Sequence, residues 1–438
     1  MYNKRDIITK EKLDRLRAIR EAEREESFKK LIPIIGEAAV AEVRKIYSAY
    51  DERMLIWYAG LWEPEIGGFY FSNSARDHEG FLPDLESTAQ AVNFIGRQCG
   101  LVNDDRTGIL AFPEKYQKKL SDFAYNLQDE DGYFYHPQWG KNVSVTRLGR
   151  DLGWAGSILR PLGIEPKYLR PSERRKQGEL SPSTPEHLLS IDNFKAWLSG
   201  LELDKKSYQI GNFIDSTSGQ IIAAGQEYVD LLVEHLNATE RPDNGLWEEK
   251  TTYQAVNGLM KIALNYPGFG AVLPYPEAAM NSAIAVIKSD VPITFACEVY
   301  NAWAAINSIL ISLDKAGESE RAERLRRTFL NEAPELIRIT GEKLMGTAVG
   351  DGSFAYFTAA SGKTCPTSQG APVALKGIRE GDINGNGCST RAPLSHMFSA
   401  FGVDIPPFFT RADAEFFFEL LDARVPVPKV PVALSPRA

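Results

Sequence analysis

Arginine, tyrosine, asparagine and tryptophan side chains recur in this 438-residue chain at spacings that suggest a chemistry. The stretch QDEDGYFYHPQWG (128–140) places two acids and a glycine before Tyr133, Phe134, Tyr135, His136 and Trp139. Asp131-Gly132 marks a turn. So many rings after a turn either close a gap between helices or offer a surface to a flat polar ligand such as a sugar. His136 precedes Pro137, which holds it extended. The nearby RLGRDLGW carries Arg147, Arg150 and Asp151. A guanidinium fork binds a carboxylate through paired hydrogen bonds, so this is the strongest local source of positive charge beside the ring-lined turn. The structural alternative is that Arg150 and Asp151 cap or bridge neighbouring helices. His78 in RDHEGF is the next histidine candidate, whereas His187 and His235 read as surface positions.

Other groups sit on helical patterns. Tyr300 and Asn301 lie in CEVYNAWAAI, an otherwise apolar segment, where they face either a core or a cavity. Tyr253, Asn257 and Lys261 follow at i, i+4 and i+8 and so share one helix face. Trp62, Trp139 and Trp247 accompany turns, and an indole face packs well on a sugar ring; interhelical packing is the competing use. Paired carboxylates could instead support hydrolysis, with Asp84, Glu86, Asp131, Glu248, Glu249, Asp351 and Asp382 as candidates. Acids in Asp-Gly turns are more often structural.

The positioning elements read as helices. The composition, 43% hydrophobic and 25% charged, is that of a globular chain. A net charge of −8 with no basic block argues against nucleic acid, and an acidic ligand would need a local basic pocket. Cys99, Cys297, Cys365 and Cys388 form no CxxC pair, so free thiols are expected and a structural zinc site is not. The N-terminus lacks the apolar region of a signal peptide, and no apolar run approaches the roughly 20 residues that span a bilayer. A cytoplasmic chain without a membrane partner is the expectation. Residues 10–30 read as an outer helix docked by a stripe of Leu13, Leu16 and Ile19. Segments such as LESTAQAVNFIGRQCG, YQAVNGLMKIALNY and CEVYNAWAAINSILISLDKAG continue the helical period. Residues 160–215, rich in proline and charge, read as a long loop or insertion, and the end of the chain as an extended proline-rich tail.

The turns repeat. Gly67, Gly132, Gly245 and Gly352 each sit beside aromatics, at spacings of 65, 113 and 107 residues. The last two are about twice a unit of roughly 55 residues, the length of a helix hairpin with its loops. A hairpin that cannot bury its face alone stacks on its neighbours. Six or seven of them predict an all-α fold, an (α/α)6-7 toroid over 46–422, with an N-terminal helical extension (1–45) and a tail (423–438).

The glutamine–glycine–aromatic turns resemble the repeats of terpenoid-cyclase and prenyltransferase toroids. The chain departs from that chemistry: it has no DxDD acid motif, and Asp382, Cys388 and His396 are the right types for a prenyltransferase zinc site without its local motif. GFLPDLESTAQAVNFI, NGLWEEKTTYQAVNGLMKI, CEVYNAW and EGDING together resemble polysaccharide lyase family 38, the glucuronan lyase type. That resemblance implies β-elimination on a uronate-containing chain. Such a reaction needs a group that neutralises the carboxylate, a base and an acid. Tyr300 is then the donor to the leaving oxygen and a candidate to take the C5 proton, with His136 as neutraliser or alternate base and Asn257, Tyr253 and Arg150 as further catalytic candidates. A tyrosine base needs its pKa lowered by nearby cations. Trp62, Glu86, Gln90, Trp139, Arg147, Trp247, Glu248, Lys261, Asn301 and Asp382 are the implied substrate contacts. No cofactor is required, with a divalent cation left open, and the expected partner is an acidic oligo- or polysaccharide. An inverting hydrolase and a non-catalytic glycan-binding toroid remain alternatives. The glycan and the oligomeric state are open.

Overall fold

The computed structural model describes residues 7–98 and 105–432. Cys99 and the last residues of the tail, 433–438, lie outside them. The described chain is mostly α-helical, with two-stranded pairings as its only sheets. In order the helices are α1 (Lys10–Ile35), α2 (Glu37–Tyr47), α3 (Glu52–Gly60), α4 (Asn73–Asp77), α5 (Leu85–Gln98), α6 (Glu114–Asn126), α7 (Val145–Leu159), α8 (Pro171–Lys176), α9 (Ile191–Ser199) and α10 (Leu203–Ala224). They continue with α11 (Gln226–Thr239), α12 (Tyr253–Ala263), α13 (Tyr266–Phe269), α14 (Pro276–Lys288), α15 (Cys297–Lys315), α16 (Ser319–Leu330), α17 (Ala333–Met345), α18 (Ile383–Ser389), α19 (Arg391–Ala400) and α20 (Arg411–Ala423).

Seven helices of this series touch in turn. Helix α5 packs on α7, α7 on α10, α10 on α12, α12 on α15, α15 on α19 and α18, and α18 returns to α5. The most buried of them, α15, hides Val299, Trp303, Ile306 and Leu310 on one side and Ala302, Ala305 and Ile309 on others. A helix apolar nearly all round belongs inside a large core. Helices α6, α11, α14 and α16 pack against α7, α10, α15 and α15 respectively.

The recurring glycines explain how successive helices are joined. Gly67, Gly132, Gly245 and Gly352 all have positive φ, from +65° to +90°, where glycine alone carries no Cβ penalty. Each also lies against backbone: a Cβ would meet Lys119 O, Leu169 O, Ala279 N and Met54 N in turn. In three turns an acidic or amide side chain accepts the backbone N–H two residues on: Asp131 from Tyr133 at 3.0 Å, Asn244 from Leu246 at 3.0 Å and Asp351 from Ser353 at 3.0 Å. Antiparallel pairings at Trp62–Phe69, Gln128–Phe134 and Ala348–Phe354 then aim Phe69, Phe134 and Phe354 into the core.

Two expectations change. Residues 160–215 are not a continuous loop: they hold α8, α9 and the start of α10, whose short or polar faces hid the period. The docking stripe of α1 is also wider than Leu13, Leu16 and Ile19. Its buried residues are Leu16, Arg20, Arg24, Phe28, Leu31 and Ile35. Arg20 sits between Glu52 and Asp413, 2.7 Å from the latter, and Arg24 donates to the carbonyls of Tyr47, Tyr50 and Phe408. Buried cations paired in this way join α1 to α3 and α20, which a search for apolar spacing alone does not find.

Candidate functional site

Hollows of 700 and 680 Å³ lie on the flanks, one between α3, α4 and residues 424–430, the other between α7, α8 and α10. A cavity of 380 Å³ is smaller, but α5, α7, α10, α12, α15, α18 and α19 all contribute to its wall. Gln90, Arg150, Lys261, Tyr300 and Asn301, five of the residues singled out in the sequence, meet there although they are spread over more than 200 positions. Tyr58, Tyr208, Asn212, Asp215, Tyr356, Asn384, Cys297 and Cys388 complete its chemistry.

The wall is built by polar stripes on otherwise apolar helices. On α7, Ser144 accepts the N–H of Arg147 and starts the helix. Arg147 then turns into the core, fully buried. It meets Asp84 at 2.9 Å, Asp151 at 3.0 Å and Glu86 at 3.3 Å. Arg150, three residues on, reaches the cavity and pairs with Glu86. Burial works against ionisation of Glu86, but Arg150 and Arg147 prevail and hold its pKa at about 2. Three carboxylates share two guanidinium groups, which leaves one negative charge in excess. Asp151, with Oδ1 buried and unpaired, is the member that burial pushes up to about 7.

Gln90 bridges the arms of the site: its amide donates to Glu86 at 3.0 Å and to Asn384 at 2.7 Å. Lys261 on α12 pairs with Asp215 on α10 at 2.8 Å. Asn301 donates to Asn257 at 2.9 Å, leaving Asn301 Oδ1 and Asn257 Nδ2 buried without a partner. Tyr300 packs its ring on His396, with centroids 5.5 Å apart. His396 Nδ1 lies 3.0 Å from Asn307 Nδ2, and burial lowers its pKa to about 4, so the ring is neutral at pH 7. Burial raises the Tyr300 phenol, helped by the fields of Cys388 and Asp215 and opposed by Arg150. A protonated phenol is a proton donor; the lowered pKa that a tyrosine base requires is not found here.

The other candidates lie elsewhere. His136 is buried, its Nε2 2.8 Å from Pro83 O and its Nδ1 accepting Gln138 N, with Trp139 stacked at 4.0 Å. Both nitrogens are occupied, so it is a strut of the turn and not a neighbour of Tyr300. Trp62 and Trp247 are 2% exposed, and Trp247 donates to Leu236 O; a buried indole offers no platform to a sugar, so both are packing residues. Trp139 is partly buried under the Arg147 guanidinium. Tyr253 holds Lys343 at 2.7 Å and Val291 O at 3.1 Å on the far end of α12. Glu248 accepts the Ser207 hydroxyl at 2.7 Å. Asp382 starts α18 by accepting Gly385 N, and also accepts Tyr356 N; burial raises its pKa to about 7. Of the sequence's carboxylate candidates none lines the cavity, whose lining acid among the described residues is Asp215.

Tyr208, Asn212, Asp215, Tyr356, Cys297, Cys388, Arg97 and Arg391 were not singled out as site residues. A signal existed for several: Tyr208, Asn212 and Asp215 at i, i+4 and i+7, and Glu86, Gln90, Asn93 and Arg97 at i, i+4, i+7 and i+11, are polar faces on helices whose other faces are apolar.

Among the described residues Arg97, Arg150, Lys261 and Arg391 line the cavity with one lining carboxylate, Asp215; Arg150 pairs with Glu86 behind the wall and Lys261 with Asp215, in a chain of net charge −8. Among the described residues no three His, Cys, Asp or Glu side chains gather to hold a metal, and no helix is long and apolar enough to cross a membrane. Comparison with family models, with curated proteins and with solved structures returned no match.

Proposed function

We propose that the chain is a glycan-degrading enzyme that cleaves uronate-containing chains by β-elimination, in the cavity of an α/α toroid. The closed series of contacts from α5 through α15 to α18 supports the toroid. The observation that carries the function is the gathering of Arg97, Arg150, Lys261 and Arg391 on the wall of one cavity in an otherwise acidic protein. A low-dielectric recess strengthens each of those charges toward an anion.

In this reading Arg150 and Lys261 take the uronate carboxylate. Neutralising that carboxylate stabilises the enolate that forms as C5 loses its proton. Asp215, whose field reaches the Tyr300 phenol, receives that proton. Tyr300 gives its own proton to the departing 4-linked oxygen. The products are an unsaturated uronate and a free hydroxyl. The cavity supports hydrolysis less well, since an inverting pair needs two carboxyl groups about 6.5–9.5 Å apart and Asp215 has no second acid beside it in the lining. A polar, cationic wall equally disfavours a terpenoid substrate.

The test is incubation of the full chain with a panel of uronic-acid glycans, read by ultraviolet absorbance of the new carbon–carbon double bond. A rise with at least one polyuronate supports the proposal. New reducing ends without the absorbance would replace it with hydrolysis, and tight binding without either product would leave a glycan-binding protein.

A further inference from the structure

Two thiols of the cavity wall have no part in that reaction. Cys297 is the first residue of α15 and Cys388 lies on α18; their sulfurs are 3.5 Å apart. Both are free, partly exposed and line the cavity. Cys297 is the first residue of α15, whose start has no side-chain cap, so the positive end of the helix dipole lies at its position. We propose that Cys297 and Cys388 form a reversible thiol–disulfide site in the cavity wall, with Cys297 as the attacking thiolate and a peroxide as the oxidant.

The surroundings of the two sulfurs differ in a way that divides the labour. The contact between the two sulfurs, with the Tyr356 hydroxyl and the charges of Lys261 and Arg150, favours the Cys297 thiolate against its burial; the same contact and burial raise Cys388. Thiolate character at an accessible, electropositive position is what makes a cysteine reactive. The third described thiol, Cys365, is pushed up by burial and then by Asp382, and serves as an internal control.

The first step attacks the peroxide: a sulfur–oxygen bond forms at Cys297, the oxygen–oxygen bond breaks, and hydroxide leaves. Sulfur loses two electrons and the peroxide gains them. Cys388 then attacks the sulfenic sulfur. The sulfur–sulfur bond forms, the sulfur–oxygen bond breaks, and the departing hydroxide takes the Cys388 proton as water. A dithiol reductant reverses the change. The bond ties α15 to α18 one helical turn from Tyr300.

The inference does not rest on the glycan reaction, and its test has a separate readout. The full chain is reduced with dithiothreitol, desalted, exposed to hydrogen peroxide, alkylated with iodoacetamide and mapped by peptide mass. The expected result is a cross-linked Cys297–Cys388 peptide that dithiothreitol splits, with Cys365 alkylated throughout. Cys388→Ser should instead retain a sulfenic acid on Cys297 that dimedone captures. Recovery of Cys297 and Cys388 as separate alkylated peptides, or preferential oxidation of Cys365, would overturn the proposal. If the serine variant fails to fold by circular dichroism, the wild-type peptide map decides alone.

Discussion

The glycine–aromatic turns and the cavity wall use the same residue types to opposite ends. In the turns His136, Trp247 and Asp131 are spent on structure. His136 has both nitrogens engaged, Trp247 Nε1 is bonded to a carbonyl, and Asp131 accepts a backbone N–H and the hydroxyls of Tyr135 and Ser183. At the wall, Tyr300, Arg150 and Lys261 keep a face toward open space. Helix α7 holds both cases three residues apart. Arg147 is locked among three carboxylates, whereas Arg150 stands at the rim with one. Residue type and local spacing are thus equal for the two arginines; the direction in which each leaves the helix decides its use.

The sharpest break between the regions is expected from those arginines. Arg147→Ala leaves Asp84, Glu86 and Asp151 buried with one cation fewer, and removing one partner of a buried ion network costs about 3–5 kcal/mol. Arg150→Ala leaves Glu86 still paired with Arg147 and should cost clearly less, while weakening the binding of acidic glycans. Urea unfolding measures the first and calorimetric titration the second. Equal destabilisation by both variants would erase the distinction.

Next in size are the turn glycines. Gly132→Ala forces a Cβ into positive φ and against Leu169 O, for an expected loss of about 1–3 kcal/mol or more. Gly153→Ala on α7, where a Cβ meets nothing within 4 Å, should be neutral or stabilising by about 1 kcal/mol. Thermal melts of the pair separate a glycine required by geometry from one that is merely present.

The third turn also carries a titration. Burial pushes Glu240 up to about 8, against a weaker opposing contact from the Tyr275 backbone. The folded state therefore holds a proton that the unfolded chain releases near pH 4.3. That contribution is complete below about pH 4 and is lost as pH rises through about 8. Glu240→Gln keeps the shape without the proton, so its stability should fall less between pH 5 and 8, by on the order of 1–3 kcal/mol. Parallel pH curves for the two proteins would contradict this. Trp247→Phe removes one buried hydrogen bond worth about 0.5–1.5 kcal/mol together with part of a buried ring, and should leave activity on acidic glycans intact.

Much of this organisation was legible in the sequence, for a physical reason in each case. The 3.6-residue period marked α5, α12 and α15, and Gly67, Gly132, Gly245 and Gly352 marked the turns because only glycine is free of strain at positive φ. The cavity was legible in part: Lys261, Tyr300 and Asn301 stood out as polar groups within apolar helices. Tyr356 and Cys388 did not, because what brings them to the wall is the packing of α18 and the segment before it against α15, which no local spacing encodes. His136 and Trp62 misled because a ring in a turn has the same sequence signature whether it packs inward or faces a ligand. Arg20 and Arg24 were hidden by their charge, which reads as surface until Glu52, Asp413 and the carbonyls that pair them are in place.

The central claim is that the cavity carries the chemistry and that the turns do not. The most direct measurement is the rate at which Tyr300→Phe generates the unsaturated-uronate absorbance from a polyuronate that the wild type cleaves, alongside its urea midpoint. The ring and its contact with His396 are kept, so stability should change by no more than about 1 kcal/mol. Turnover should fall by roughly 10²–10⁴-fold, the usual loss on removing a general acid. A Tyr300→Phe protein that folds normally and cleaves at the wild-type rate would contradict the account.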